Sequence, residues 1–129
     1  MGHPTHMFDY DKFGSKTVLI RRGKKGEKIT TLDEIERKLS QEQLLITNGK
    51  IPVAIAGVMG GLDSAVTKET TTVLIESAYF DAPTIRKGAK SLGMSTDASK
   101  RFERGADPNG AENAFWRMVQ LLEELAGGN

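Results

Sequence analysis

The sequence of 129 residues contains no cysteine. That excludes disulfides and thiolate metal sites and is compatible with a reducing compartment. An excess of one charge is also missing: 18 Lys and Arg against 17 Asp and Glu leave a net +1. Global electrostatics therefore do not mark the chain for nucleic acid, and such a role needs a local patch. No apolar run approaches the roughly 20 residues of a membrane span. The opening MGHPTHMFDYDKF has no apolar signal-peptide core, so a cytoplasmic protein is expected. The only histidines are His3 and His6. Pro4 between them disfavours the helix on which His-x-x-His would chelate, and no zinc-spaced ligands follow, so no metal site is expected. What remains for each is a substrate- or water-positioning role, or simple exposure near the terminus.

The residues present divide the chain by period. With 38% hydrophobic and 27% charged residues, the composition is that of an ordinary globular domain. From Thr17 to Phe80 the apolar runs are short and β-branched: TVLIRR, LLITN, IPVAIAGV and TTTVLIESAYF. They read as strands. KKGEKITTLDEIERKL reads as two short strands around a turn at Leu32-Asp33-Glu34, or with a helix starting at Glu34–Arg37. Asn48-Gly49 predicts a turn. IPVAIAGV is apolar on both faces and is expected at the centre of a sheet. After Asp81 the period becomes helical. Asp81 with Pro83 marks one start and Gly93 its stop; Asp107 as N-cap with Pro108 at N1 marks another. Phe115, Val119, Leu122 and Leu125/Ala126 form that last helix's stripe, ending at Gly127-Gly128. The N-terminal HPTHMFDYDKF has no clear period and looks like a segment that packs against something. The expected class is α+β: mainly antiparallel or mixed β-sheet layers in the first two-thirds, then two or three helices packed on the sheet.

Four constellations carry candidate chemistry. AGVMGG (Ala56 to Gly61) follows an apolar strand but lacks the Gly-Lys-Ser/Thr of a phosphate loop. It is either a turn needing positive φ or a pocket wall where missing Cβ atoms admit a ligand. Glu76 is a lone carboxylate in the apolar VLIESAYF. Alternation places it with Leu74 and Ala78 on one face. It is either a ligand-reading group in a polar pocket or an edge-strand residue facing solvent or an arginine. Arg86, Lys87, Lys90, Lys100, Arg101 and Arg104 make a locally positive stretch. That stretch is either a phosphate-facing patch or a mixed face in which Glu103 and Asp107 pair with Arg101 and Arg104. Finally, STDASKRFERGADP holds six charges in fourteen residues after four small ones.

Taken together, GHPTHMFDYDK, AGVMGG, ESAYFD and TDASKRFERGADP resemble the editing domain of the bacterial-type phenylalanyl-tRNA synthetase β-subunit family, over nearly the whole chain. The resemblance implies a single domain over 1–129 that is part of the family's editing domain, with further domain residues ahead of the Gly-x-Pro-x-His run. It implies hydrolysis of tyrosine from mischarged phenylalanine tRNA, in a pocket separate from the aminoacylation site. By resemblance His6 and Thr96 position the ester and the RNA terminus, Glu76 reads the tyrosine hydroxyl, and Gly60, Gly61 and Ala98 line the pocket. Further implications are no cofactor for this domain, ATP and Mg for the parent's synthetic site, and an α subunit in an (αβ)2 heterotetramer. The isolated chain is expected to self-associate. A stand-alone trans-editing hydrolase and a non-catalytic RNA-binding module are the alternatives. The family's Asp-Gly turn is Asp33-Glu34 here.

Overall fold

The computed structural model describes residues 3–127. In chain order these form β1 (His6–Asp9), α1 (Tyr10–Phe13), β2 (Leu19–Arg22), β3 (Lys28–Thr30), β4 (Glu36–Lys38) and β5 (Leu44–Thr47). There follow β6 (Pro52–Ile55), β7 (Met59–Gly60), β8 (Val73–Glu76), α2 (Ala82–Ser91), α3 (Asp97–Glu103) and α4 (Gly110–Ala126). The class is α+β, with strands concentrated in the first two-thirds and the longer helices after them. The sheets are β1-β8, β2-β5-β6-β7 and β3-β4, each paired antiparallel.

β6 lies between β5 and β7, and Val53, Ala54 and Ile55 are all buried. This is what apolar residues on both faces require. Pro52 opens the strand, where a missing N–H is tolerated. The turn into β6 uses Gly49 at φ +95°, while Asn48 Oδ1 accepts from the Lys50 and Ile51 amides at 3.0 and 2.9 Å. Between β3 and β4 the chain turns through Glu34 at φ 64°, and the Thr31 amide donates to the Ile35 carbonyl at 3.0 Å. The hairpin is formed and the helical reading of Glu34–Arg37 is not. A left-handed residue interrupts any helix there.

The aperiodic N-terminal segment resolves into two elements too short to show a period. β1 pairs with β8 in the register His6↔Glu76 and Phe8↔Leu74. Asp9 then caps the single turn of α1 through the Lys12 amide. Phe8 and Phe13 are buried and meet edge to face at 5.4 Å. They belong to one core cluster with Leu45, Ile85 and Phe102.

Asp81 caps α2 by accepting from the Thr84 amide at 3.1 Å, and Gly93 lies just past its end at φ +66°. α3 begins with a reciprocal capping box between Thr96 and Ser99. α4 starts two residues later than Asp107-Pro108 predicts. The Asp107 side chain accepts from the Asn109 amide, and its carbonyl from Gly110, so these residues form a turn ahead of the helix. Phe115, Val119 and Leu122 are half-buried, but Leu125 is 81% exposed, so the stripe loses its cover in the last turn. Gly127 at φ +68° ends the helix; Gly128 lies outside the described residues. Among the described residues no helix is long and apolar enough to cross a membrane.

Candidate functional site

A small cleft of about 60 Å³ forms where β1, the β6–β7 turn, β8 and α3 converge; its walls include Thr5, His6, Gly60, Glu76, Ala98 and Phe102. That volume holds about four to six waters, the scale of an aromatic ring tip. Antiparallel pairing explains half of it. His6 and Glu76 are directly opposed, so their side chains share one face of the two-stranded sheet. The same face carries buried Phe8 and core-packed Leu74 and Ala78. Glu76 therefore points inward, not to solvent.

The other half comes from a glycine. Gly57 at φ +69° turns the chain out of β6, and β7 brings Gly60 flat against the His6 ring. A Cβ on Gly60 would lie 2.5 Å from Cε1 and 2.6 Å from Nε2 of His6. The small residue makes room for the imidazole, and only through it for a ligand.

Burial dominates the electrostatics. The Glu76 carboxyl has no hydrogen bond or ion pair among the described residues, and desolvation raises its pKa to about 7. Burial also pushes the His6 imidazole below its usual value, and its buried Nε2 has no hydrogen-bond partner among the described residues. Both groups are thus driven toward their neutral forms, one as a potential donor. At neutral pH such a carboxyl is poised to give or accept a hydrogen bond to a phenol.

Of the residues named from the sequence, the structure brings His6, Gly60, Glu76 and Ala98 together. Gly61 and Thr96 stand behind the walls. A Cβ on Gly61 would strike the Val53 carbonyl at 2.6 Å, inside the sheet, and Gly61 lines a separate cavity. The Thr96 hydroxyl donates to the Val58 carbonyl at 2.8 Å and accepts from the Ser99 amide at 3.0 Å. It fastens α3 to the β6–β7 turn and so sets where Ala98 stands. His3 is turned elsewhere, with Nε2 2.9 Å from the Ala78 carbonyl and its ring edge-on to Phe102. Among the described residues no three His, Cys, Asp or Glu side chains cluster as metal ligands would.

Thr5 and Phe102 are among the lining residues that escaped the sequence reading. Thr5 sits between the histidines, and its hydroxyl makes no hydrogen bond among the described residues. Phe102 follows Ala98 by one helical turn. The Thr96-x-x-Ser99 spacing is the signal that would have set α3 in phase and found it.

The family model for the B3/4 domain matches residues 1–127. Similar chains include the phenylalanine–tRNA ligase beta subunits of Geobacillus kaustophilus and Halalkalibacterium halodurans, each 54% identical over 127 residues. The corresponding subunit of Bacillus licheniformis is 53% identical over 127 residues. Each alignment covers 98% of this chain and 16% of the relative. The chain belongs to the B3/4 domain family of phenylalanine–tRNA ligase beta subunits, and it spans about one sixth of the length of those relatives.

Proposed function

We propose that the cleft removes tyrosine from tyrosyl-tRNA made in error on phenylalanine tRNA. The observation that carries this reading is the inward-facing, unpartnered Glu76. A tyrosine ring in the cleft gives its carboxyl a phenolic partner. A phenylalanine ring leaves the buried group unsatisfied, and sites that read a hydroxyl in this way reject the analogue lacking it by large factors. Ala98 and Gly60, being small, keep the space open to the ring.

In the hydrolytic step, water oxygen bonds to the ester carbonyl carbon and the bond to the ribose oxygen breaks. The water's proton ends on that ribose oxygen, giving free tyrosine and free RNA. The neutral imidazole of His6, whose Nε2 lacks a partner, holds the attacking water or the ester oxygen. Thr5 offers a hydroxyl beside it. Acceleration comes from orientation and from a dry, preorganised wall rather than from a protein nucleophile. On this reading the chain acts inside a cytoplasmic synthetase with an α subunit and its tRNA. The ATP-dependent attachment step lies in other parts of that assembly.

The test is single-turnover deacylation of tyrosyl- and phenylalanyl-tRNA. It is run with this chain alone and with the Geobacillus synthetase carrying it in place of its own B3/4 segment. The unaltered site is expected to prefer the tyrosyl ester by about 100-fold or more. Glu76→Ala is expected to erase that preference; its survival would refute the assignment.

A further inference from the structure

A second recess of about 450 Å³ lies on the far side of α3, bounded by His3, Arg101, Arg104, Asp107, Gly110 and Asn113. One ring contact links it to the cleft. Phe102 lines the cleft, and His3 stands edge-on to its ring at a centroid distance of 6.0 Å. From His3 in the recess to His6 in the cleft the chain advances three residues, about 10 Å when extended.

Two guanidiniums, Arg101 and Arg104, and one carboxylate, Asp107, border the recess. The Asp107 carboxylate is engaged by the Asn109 amide at 2.9 Å. Glu103 uses its main-chain carbonyl to accept from Arg86 at 3.1 Å. The ion pairs Arg21–Glu27, Lys28–Glu36 and Arg37–Asp33 all lie on the strands β2 to β4 and the turns beside them. The exposed Arg104 side chain joins none of them and makes no hydrogen bond among the described residues. Arg101, three positions earlier, lies on the same side of α3. His3 donates from Nε2 to a carbonyl, so that nitrogen carries the proton, and Nδ1 is left facing Gly110 across the recess.

We propose that this recess binds the phosphate that precedes the acylated ribose, so that the RNA end is gripped by its backbone while its aminoacyl group enters the cleft. The proposal rests on the deacylase reading above and adds to it the group that orients the ester. A guanidinium fork suits a phosphate, and the contact is blind to base sequence. Because Arg104 is exposed, its contribution is modest and falls with salt.

The probes are 3′-deoxy-3′-(tyrosylamino)adenosine, which cannot be hydrolysed at the amide under assay conditions, and its 5′-monophosphate. Both are titrated calorimetrically into this chain. The monophosphate is expected to bind about three- to ten-fold more tightly at low salt, and this advantage to fade by about 0.5 M NaCl. Arg104→Glu is expected to abolish the advantage and leave nucleoside affinity unchanged. Lys87→Glu, an equal charge change on the exposed face of α2, is expected to leave the advantage intact. Equal affinity of the unaltered chain for both probes overturns the phosphate site alone, as does an equal loss with Lys87→Glu and Arg104→Glu. Failure of both probes to bind removes the deacylase reading and this proposal with it.

Discussion

Replacing Glu76 with glutamine removes one ionisation and nearly nothing else, which makes it the sharpest probe of the cleft. In the unfolded chain this carboxyl gives up its proton near pH 4.5; in the folded protein burial holds it until about pH 7. Between those values the folded state binds more protons than the unfolded one, so stability falls as pH rises from 4.5 to 7 and stays lower above. At about 1.4 kcal/mol per pH unit the full interval corresponds to about 3 kcal/mol, and solvent at the cleft mouth trims this to about 2–3 kcal/mol. Above pH 7.5 Glu76→Gln is therefore expected to be the more stable protein, with a melting temperature higher by about 10 °C. Below pH 4.5 the two should converge. His6 acts in the opposite direction. Its folded pKa is lowered, so stability is lost as pH falls through about 6.5, where the unfolded imidazole takes up a proton; this happens in both proteins. Melting curves by circular dichroism from pH 4.5 to 8.5 read the difference directly. Parallel pH profiles for the two proteins would refute the claim that Glu76 is buried and unpaired.

Four further outcomes are expected. Gly60→Ala forces a methyl into the His6 ring and should cost about 1–3 kcal/mol, with tyrosyl-ester hydrolysis falling further than the stability loss explains; melting and deacylation measured together separate the two. Glu34→Gly relieves a left-handed residue at φ 64° and should raise stability by about 0.5 kcal/mol in a denaturant titration, after the entropy of the added glycine is offset. Thr96→Val removes both the helix cap and the bond to Val58 and should cost about 1–2 kcal/mol in the same titration. Val18, just ahead of the edge strand β2, and Leu19 and Ile20 within it are 52%, 45% and 45% exposed, beside an apolar cleft of about 510 Å³. Sedimentation velocity of this chain should therefore show concentration-dependent association that Ile20→Lys weakens, and a monomer at every concentration would count against it.

The central strand, the Asn48-Gly49 turn and the cap of α2 were legible, because each is a local signal in residue type and spacing; which face of β8 turns inward was not, because it depends on β1 across from it. What was hidden depends on distant partners. β1 is four residues long and becomes a strand only because Leu74 and Glu76 stand opposite it. α3 buries only Ser99 and Phe102 in seven residues, too few to announce a helical period under its charges. Gly60 could be seen as a glycine at a strand end, but its reason is a ring supplied from residue 6. Thr96 shares the site's motif yet spends both lone-pair and proton on holding α3. The pairing of Arg104 with Asp107 looked natural in one dimension, but the Asp107 carboxylate accepts from the Asn109 amide two residues on.

The direct opposition of His6 and Glu76 also fixes when the cleft appears as the chain folds. Its walls come from residues near 6, 60, 76 and 98, so no local segment can build any two of them early. Closing the β1–β8 pair spans most of the domain and belongs among its slow, high-contact-order events. A chain that has reached β7 but not β8 has no site at all. Conversely, a ligand seated between those strands opposes unfolding of the domain as a whole, so ligand-induced protection of amides in β1, the chain's first strand, would report on the cooperativity of the entire fold.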